Sequence, residues 1–184
     1  MKSLQERYGF TMTPEELDSY VRREEDVVIA KINEKLVPCP GVDDVLEKLA
    51  KLGEYKLVVV SSSALRRVKA SIEKVGQDKY FGGDVYSAAT SLPTPTSKPD
   101  PAIYLHAMEK MGVKAGECIA VEDSKSGTLS GTRAGIKVIG YVGPYPEEEK
   151  AKMEKVLAEA GAVIIMRDWS EFDSCLAKIQ NGSI

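Results

Sequence analysis

The sequence predicts an α/β protein in which helices flank a parallel β-sheet. Short apolar, β-branched runs alternate with segments of helical length and spacing. The runs at residues 56–61 and 117–121 are apolar almost throughout, as in strands that are buried on both faces. A chain of 184 residues can hold one substantial domain with a small appendage.

The first 37 residues are predicted to be helical and separate from the sheet. Thr13, Pro14 and Glu16 form a helix start, with a capping hydroxyl, a proline at the first helical position and a capping-box acid. This helix continues through Val21, and a second helical stretch covers residues 24–36. Two prolines and a glycine follow and cannot continue a helix. A domain boundary therefore separates residues 1–37 from residues 38–184.

Helices and strands alternate beyond this boundary, and most helices end at a glycine, which readily adopts the left-handed conformation that stops a helix. The predicted helices are residues 43–52, 64–75, 101–111, 125–134, 147–160 and 170–179. The predicted strands are residues 56–61, 84–88, 117–121, 137–142 and 162–166. Helices between successive strands are typical of a parallel sheet.

Composition excludes several classes of function. A net charge of −3 gives no attraction to nucleic acid or to an anionic membrane, and no apolar run is long enough to span a bilayer. Cys39, Cys118 and Cys175 form no C-x-x-C pair, so we expect three reduced, mostly buried thiols in a cytoplasmic protein. His106, the only histidine, lies inside a predicted helix, which favours a structural role over a catalytic one.

Polar residues follow two of the predicted strands, and another lies at the start of a predicted helix. An open α/β sheet binds its ligands at this edge, beyond the carboxyl ends of its strands. Ser61 comes after four apolar residues, and its hydroxyl, with the amides of Ser62 and Ser63, can donate to phosphate oxygens. These serines can equally cap the next helix. Lys98 precedes Pro99 at a helix entry and can neutralise phosphoryl charge, although a lone loop lysine is often only solvated.

Glu122 and Asp123 end the third strand, directly before a serine that can cap a helix. Two buried, unpaired carboxylates are costly, and a hard divalent cation such as Mg²⁺ would offset that cost. The alternative is that both acids cap or flank the helix over residues 125–134. Gly127 lets this helix approach the strand closely.

In this order, these elements resemble motifs two, three and four of the haloacid dehalogenase-like (HAD) phosphohydrolases. The resemblance covers residues 38–166 and is strongest to the helical-cap branch, which includes sugar-phosphate phosphatases and β-phosphoglucomutases. It implies that Ser61, Ser62 and Lys98 bind phosphate, and that Ser61 and Lys98 are catalytic. It also implies that Asp123, with Glu122 nearby, holds Mg²⁺. Residues 1–37 then resemble the second half of the cap.

The first motif of that family, Asp-x-Asp, occurs nowhere in the sequence. In the family it carries the nucleophile and the general acid/base on a central strand, between those predicted at residues 56–61 and 117–121. The chain is therefore expected to begin inside the cap and to leave two buried sheet edges. Either those strands pair directly or another segment fills the gap. Residues 26–32 are β-branched enough to do so, but the resemblance predicts a helix there.

Three functions stay open. The first is a truncated Mg²⁺-dependent phosphatase of small phosphorylated metabolites, weakly active or inactive. Apolar Ala64 and Leu65 follow Ser63, where relatives that grip a second phosphate place polar residues, which favours a phosphatase over a mutase. The second is a phosphate-binding pseudoenzyme or regulatory protein. The third is a structural partner that recruits the missing strand from another chain.

Overall fold

A computed structural model describes residue 9 and residues 12–184, and confirms the α/β class with parallel strands. The helices are α1 (Pro14–Lys35), α2 (Val42–Leu52), α3 (Leu65–Lys74), α4 (Ala102–Met111), α5 (Lys125–Arg133), α6 (Glu147–Glu159) and α7 (Phe172–Gln180). The strands are β1 (Val59–Ser61), β2 (Val85–Ser87), β3 (Ile119–Glu122), β4 (Lys137–Tyr141) and β5 (Ile164–Met166). No helix in this part of the chain has both the length and the apolar character needed to cross a bilayer.

The N-terminal helix α1 is continuous over 22 residues, so the expectation of two helical stretches was wrong. Its start matches the prediction, because the Thr13 hydroxyl accepts from the Glu16 N–H and the Glu16 carboxylate accepts from the Thr13 N–H. No proline or glycine interrupts residues 15–35, and nothing therefore ends the helix before Leu36.

Ion pairs connect α1 to α3. Glu25, the one buried residue of α1, accepts from Arg66 Nη1 at 2.7 Å, and Asp26 accepts from Arg66 Nη2 at 2.8 Å. Arg67 donates to Glu24 on the same face. Because α1 contributes no buried apolar side chain, these charged contacts carry much of its attachment to the rest of the protein.

The strands form two separate sheets. β1 pairs with β2, with Val60 opposite Tyr86, and β3, β4 and β5 form a second sheet in that order. In the second sheet Glu122 lies opposite Gly140, which lies opposite Ile165. The polar end of β3 therefore lies beside glycine rather than beside a bulky side chain.

The apolar core covers both faces of the second sheet. Val138 and Ile139 are fully buried neighbours on β4 and point to opposite faces. The Ile139 face packs against α2 and α7 through Leu49, Phe172, Cys175 and Ile179. The Val138 face packs against α4 through Ile103 and Tyr104, and against Ala134 at the end of α5. Helices thus flank the sheet on both sides, as predicted.

A cavity of about 1330 Å³ lies between the two sheets, and the edges of both β1 and β3 line it. The two strands do not pair with each other. Residues 26–32 belong to α1 and do not form a strand. Among the described residues, the gap between β1 and β3 is therefore closed neither by direct pairing of these strands nor by residues 26–32.

The thiols and the histidine differ in how well they were predicted. Cys175 is buried, but Cys118 is half-buried and Cys39 is exposed, so the expectation of mostly buried thiols was wrong for two of the three. All three are free of disulfides. His106 packs edge-to-face on Tyr86, with ring centroids 5.6 Å apart, and this contact fits the structural role expected for it.

Replacing Glu25 with Gln should loosen α1, because the neutral amide no longer pairs with Arg66. The exposure of Arg66 limits the expected loss to about 1 kcal/mol, or about fivefold faster hydrogen exchange across α1. Glu34→Gln removes the same charge from an exposed pair with Lys31 and is the matched control. Hydrogen exchange is measured by mass spectrometry. Equal exchange rates across α1 in both variants would refute the role of the Glu25–Arg66 pair in attaching this helix.

Candidate functional site

Lys98 connects the ends of β1 and β3. Its ammonium donates to the Val60 carbonyl at 2.9 Å and forms an ion pair with Glu122. The two charged side chains are only 9% and 8% exposed. The Lys98 N–H donates to the Ser62 hydroxyl at 3.0 Å, and the Lys98–Pro99 peptide bond is cis. The ammonium is thus held by groups from both sheets.

Glu122 receives a second donor from α4. The Tyr104 hydroxyl donates to the same carboxylate oxygen, Oε1, that contacts Lys98. Burial, followed by the charge of Glu122, raises the pKa of Tyr104 far above its ordinary value, so the hydroxyl stays protonated and remains a donor. Glu122 is therefore a buried carboxylate that is compensated by one cation and one neutral hydroxyl.

Gly127 makes room for this carboxylate. A Cβ atom at Gly127 would lie 1.8 Å from Glu122 Oε2 and 2.4 Å from Glu122 Cδ. The glycine lies in the first turn of α5, where Ser124 caps the helix by accepting from the Gly127 N–H at 3.1 Å. The close approach of helix and strand predicted at Gly127 is present, and the group accommodated there is the Glu122 side chain.

The serine turn after β1, which consists of Ser61, Ser62 and Ser63, does not cap the next helix. Ser61 is half-buried, and its hydroxyl accepts from the Ser63 N–H at 3.1 Å. The first N–H of α3, that of Leu65, donates instead to Thr90 Oγ1 at 3.2 Å. The alternative that these serines cap α3 was therefore wrong. The Ser87 hydroxyl donates to the Ser63 carbonyl at 2.7 Å, which fixes the turn beside Lys98.

Asp123 is exposed at the carboxyl end of β3. Its carbonyl accepts from the Tyr145 hydroxyl at 2.9 Å, and burial, followed by the charge of Asp123, raises the pKa of Tyr145. Because Ser124 caps α5, neither acid provides that cap. Of the two neighbouring acids, only Asp123 presents its carboxylate to solvent.

These residues offer a limited set of ligands for a cation. No cluster of three or more His, Cys, Asp or Glu side chains suited to a metal ion occurs in residues 12–184 or at residue 9. Mg²⁺ in phosphoryl-transfer sites commonly takes one or two carboxylates and completes its shell with water and phosphate oxygens. Asp123 fits that arrangement, whereas Glu122 Oε1 is already shared by Lys98 and Tyr104.

The structure brings most of the predicted site together and adds residues that the sequence pattern did not reveal. Ser62, Lys98 and Glu122 are linked through direct contacts at the ends of β1 and β3. Ser61 is the last residue of β1 and precedes Ser62, and Asp123 follows Glu122. Tyr104 and Tyr145 were missed. Tyr104 occupies a core position of an amphipathic helix, and no sequence signal distinguishes it from a purely structural tyrosine.

The chain belongs to the haloacid dehalogenase-like hydrolases, because a model of that family matches residues 2–141. Among curated proteins, a phosphorylated carbohydrates phosphatase from Thermotoga maritima is 30% identical to this chain over 151 residues. The aligned region covers 82% of this chain and 65% of the relative. The chain thus spans somewhat less than two thirds of that relative's length.

Solved structures agree with this assignment. A candidate β-phosphoglucomutase from Thermotoga maritima is 30% identical, with a TM-score of 0.67, over 95% of this chain and 74% of that protein. CbbY from Rhodobacter sphaeroides in complex with phosphate is 25% identical, with a TM-score of 0.69, over 88% of this chain and 67% of that protein. The fold and the family are therefore those expected from the sequence.

Replacing Gly127 with Ala should displace the Glu122 carboxylate and weaken its pair with Lys98. We expect a loss of about 3 kcal/mol in the free energy of unfolding, measured by urea denaturation. Gly116→Ala is the matched control, because a Cβ atom there meets nothing within 4 Å. A Gly127→Ala variant as stable as the control would contradict the tight fit around Glu122.

Proposed function

We propose that this chain carries the phosphate-binding part of an Mg²⁺-dependent phosphatase site for small phosphate monoesters, sugar phosphates among them. Membership of the haloacid dehalogenase-like hydrolases and the likeness to a phosphatase of phosphorylated carbohydrates support this class. The observation that carries the proposal is Lys98, a mostly buried ammonium fixed beside the serine turn at the carboxyl ends of β1 and β3.

Phosphate recognition follows from the donors at this place. The Lys98 ammonium has three N–H groups, and the contacts to Val60 and Glu122 use two of them. The remaining donor, together with the Ser61 and Ser62 hydroxyls and the backbone N–H groups of the turn, would bind phosphoryl oxygens. Low exposure of Lys98 strengthens such a contact, because less water competes with it.

The proposed cation site rests on Asp123, with the main chain around it held by the Tyr145 hydroxyl. Mg²⁺ bound there would neutralise charge on the phosphoryl oxygens. Glu122 would act indirectly, because its carboxylate fixes Lys98 and compensates the positive charge of the Lys98 ammonium within the site. The proposal thus assigns direct contact with phosphate to Lys98 and direct contact with the metal to Asp123.

We further propose that the chain as given turns over substrate weakly or not at all. The pair of acids that the family resemblance assigns to nucleophile and general acid/base is absent from the sequence. This absence also favours a second candidate, a phosphate-binding protein without catalysis. The three free thiols support a cytoplasmic location for either function, because thiols stay reduced there.

Binding and hydrolysis should separate in a direct assay. Inorganic phosphate, titrated calorimetrically with and without Mg²⁺, should bind the unmodified chain, and Lys98→Met should weaken that binding at least about tenfold through loss of a charge-assisted hydrogen bond. Asp123→Asn should remove only the part of the affinity that depends on Mg²⁺. Hydrolysis of para-nitrophenyl phosphate should stay far below the ~1–1000 s⁻¹ typical of enzymes.

Lys110→Met and Asp18→Asn are the matched controls, because both side chains are exposed and lie outside the site. Circular dichroism checks that every variant is folded. Failure of the folded, unmodified chain to bind phosphate would refute the proposed function. Turnover in the usual enzymatic range would refute the weak-activity proposal and would show that another carboxylate acts as the nucleophile.

A further inference from the structure

The backbone that carries Lys98 belongs to neither a helix nor a strand. Residues 88–101 connect β2 to α4 without forming either element. A lysine side chain also loses much rotamer freedom when it is held in one place. Lys98 is nevertheless held between the two sheets with only 9% of its side chain exposed. Contacts from elsewhere in the fold must therefore fix its main chain.

Two side chains of α5 hold this segment by its carbonyl groups. The Ser130 hydroxyl donates to the Asp100 carbonyl at 2.7 Å. Arg133 Nη1 donates to the Pro99 carbonyl at 2.9 Å. Ser130 and Arg133 are one helical turn apart, so both lie on the same face of α5. The two residues that follow Lys98 are thereby bonded to a regular helix.

The direction of the Ser130 hydroxyl distinguishes this contact from ordinary helix packing. A hydroxyl inside a helix often donates to the carbonyl four residues earlier, as Thr132 does to Thr128 at 2.7 Å. Ser130 is fully buried on the same helix, yet its hydroxyl donates to a residue 30 positions away in sequence. Because a buried hydroxyl is costly to leave unpaired, this bond fixes its acceptor.

The same helix also supports the other end of the lysine. Glu122, whose carboxylate pairs with the Lys98 ammonium, packs over Gly127 in the first turn of α5. Asp123 is followed directly by Ser124, which caps α5. A single helix therefore sets the main chain beside Lys98, the carboxylate that holds its ammonium, and the place of Asp123.

We propose that Ser130 and Arg133 are positioning residues for Lys98, and that α5 keeps the Lys98 ammonium and Asp123 at a fixed separation. Ser130 contributes more, because it is buried, whereas water competes for the exposed Arg133. These roles rest on the proposed function for their ligand, inorganic phosphate or a phosphate monoester. They add to that site two residues that act on Lys98 and not on the ligand itself.

Acylation of Lys98 reports its position without any ligand. Acetic anhydride reacts with amines that are neutral and accessible, and mass spectrometry gives the rate at each lysine. Ser130→Ala should raise the rate at Lys98 about fivefold, because its ammonium then leaves Glu122 for part of the time. Arg133→Met should raise it about twofold. The rate at the exposed Lys110 should stay the same.

Thr128→Val is the matched control for Ser130→Ala. Thr128 is also fully buried on α5, and its hydroxyl meets no partner in the described part of the chain, so its loss breaks no hydrogen bond. Arg22→Met, on the exposed surface of α1, is the control for Arg133→Met. Circular dichroism checks that each variant is folded. If Ser130→Ala does not fold, the exposed Arg133 decides the outcome.

Phosphate affinity, measured calorimetrically without Mg²⁺, shows whether Ser130 acts through Lys98. Ser130→Ala should weaken phosphate binding about fivefold in the otherwise unmodified chain. In the Lys98→Met background the same change should cost less than about twofold, because no ammonium remains to be positioned. A structural role unrelated to Lys98 would give the same loss in both backgrounds.

Two results would overturn the positioning roles. The first is acylation of Lys98 that is no faster in the folded Ser130→Ala and Arg133→Met variants than in their controls. The second is an equal loss of phosphate affinity in both backgrounds. Faster acylation of Lys98 in a chain that binds no phosphate would support the positioning roles and refute the proposed function, so the two can fail separately.

Discussion

The buried pair of Lys98 and Glu122 is the interaction on which the rest of this structure depends. It lies between two sheets that share no backbone hydrogen bond, and its members come from a loop beside β1 and from the end of β3. Two charges with under a tenth of their surface exposed are expensive to remove from water. The pair persists because the Val60 carbonyl and the Tyr104 hydroxyl supply further hydrogen bonds.

The residues around this pair give it the space and the hydrogen bonds that it requires. Gly127 is the residue without a side chain where the Glu122 carboxylate needs space, and Ser62 fixes the backbone of the lysine. The same geometry allows the cluster around Lys98 both to hold the two sheets together and to bind a ligand. Lys98 retains a donor after bridging the sheets, and Asp123, one residue beyond Glu122, faces solvent at the same edge.

The sequence predicted the class of fold, the alternation of helices and strands beyond residue 42, and Ser62, Lys98 and Glu122 at the strand ends where they meet, because apolar periodicity and strand-end positions are local signals. Pairing across the site was less accessible. Lys98 and Glu122 are 24 residues apart, and their contact depends on how two sheets are placed, which no local pattern records. Tyr104 was missed for the same reason, and Cys39 was misjudged because burial depends on neighbours that are remote in sequence.

A double-mutant cycle on Lys98 and Glu122, followed by urea denaturation of the full chain, tests this account most directly. Lys98→Met and Glu122→Gln should each lower the free energy of unfolding by about 3–5 kcal/mol, because each leaves a buried polar group without its partner. The double variant should cost at least about 2 kcal/mol less than the sum. Additive losses within about 0.5 kcal/mol would contradict the central role of the pair.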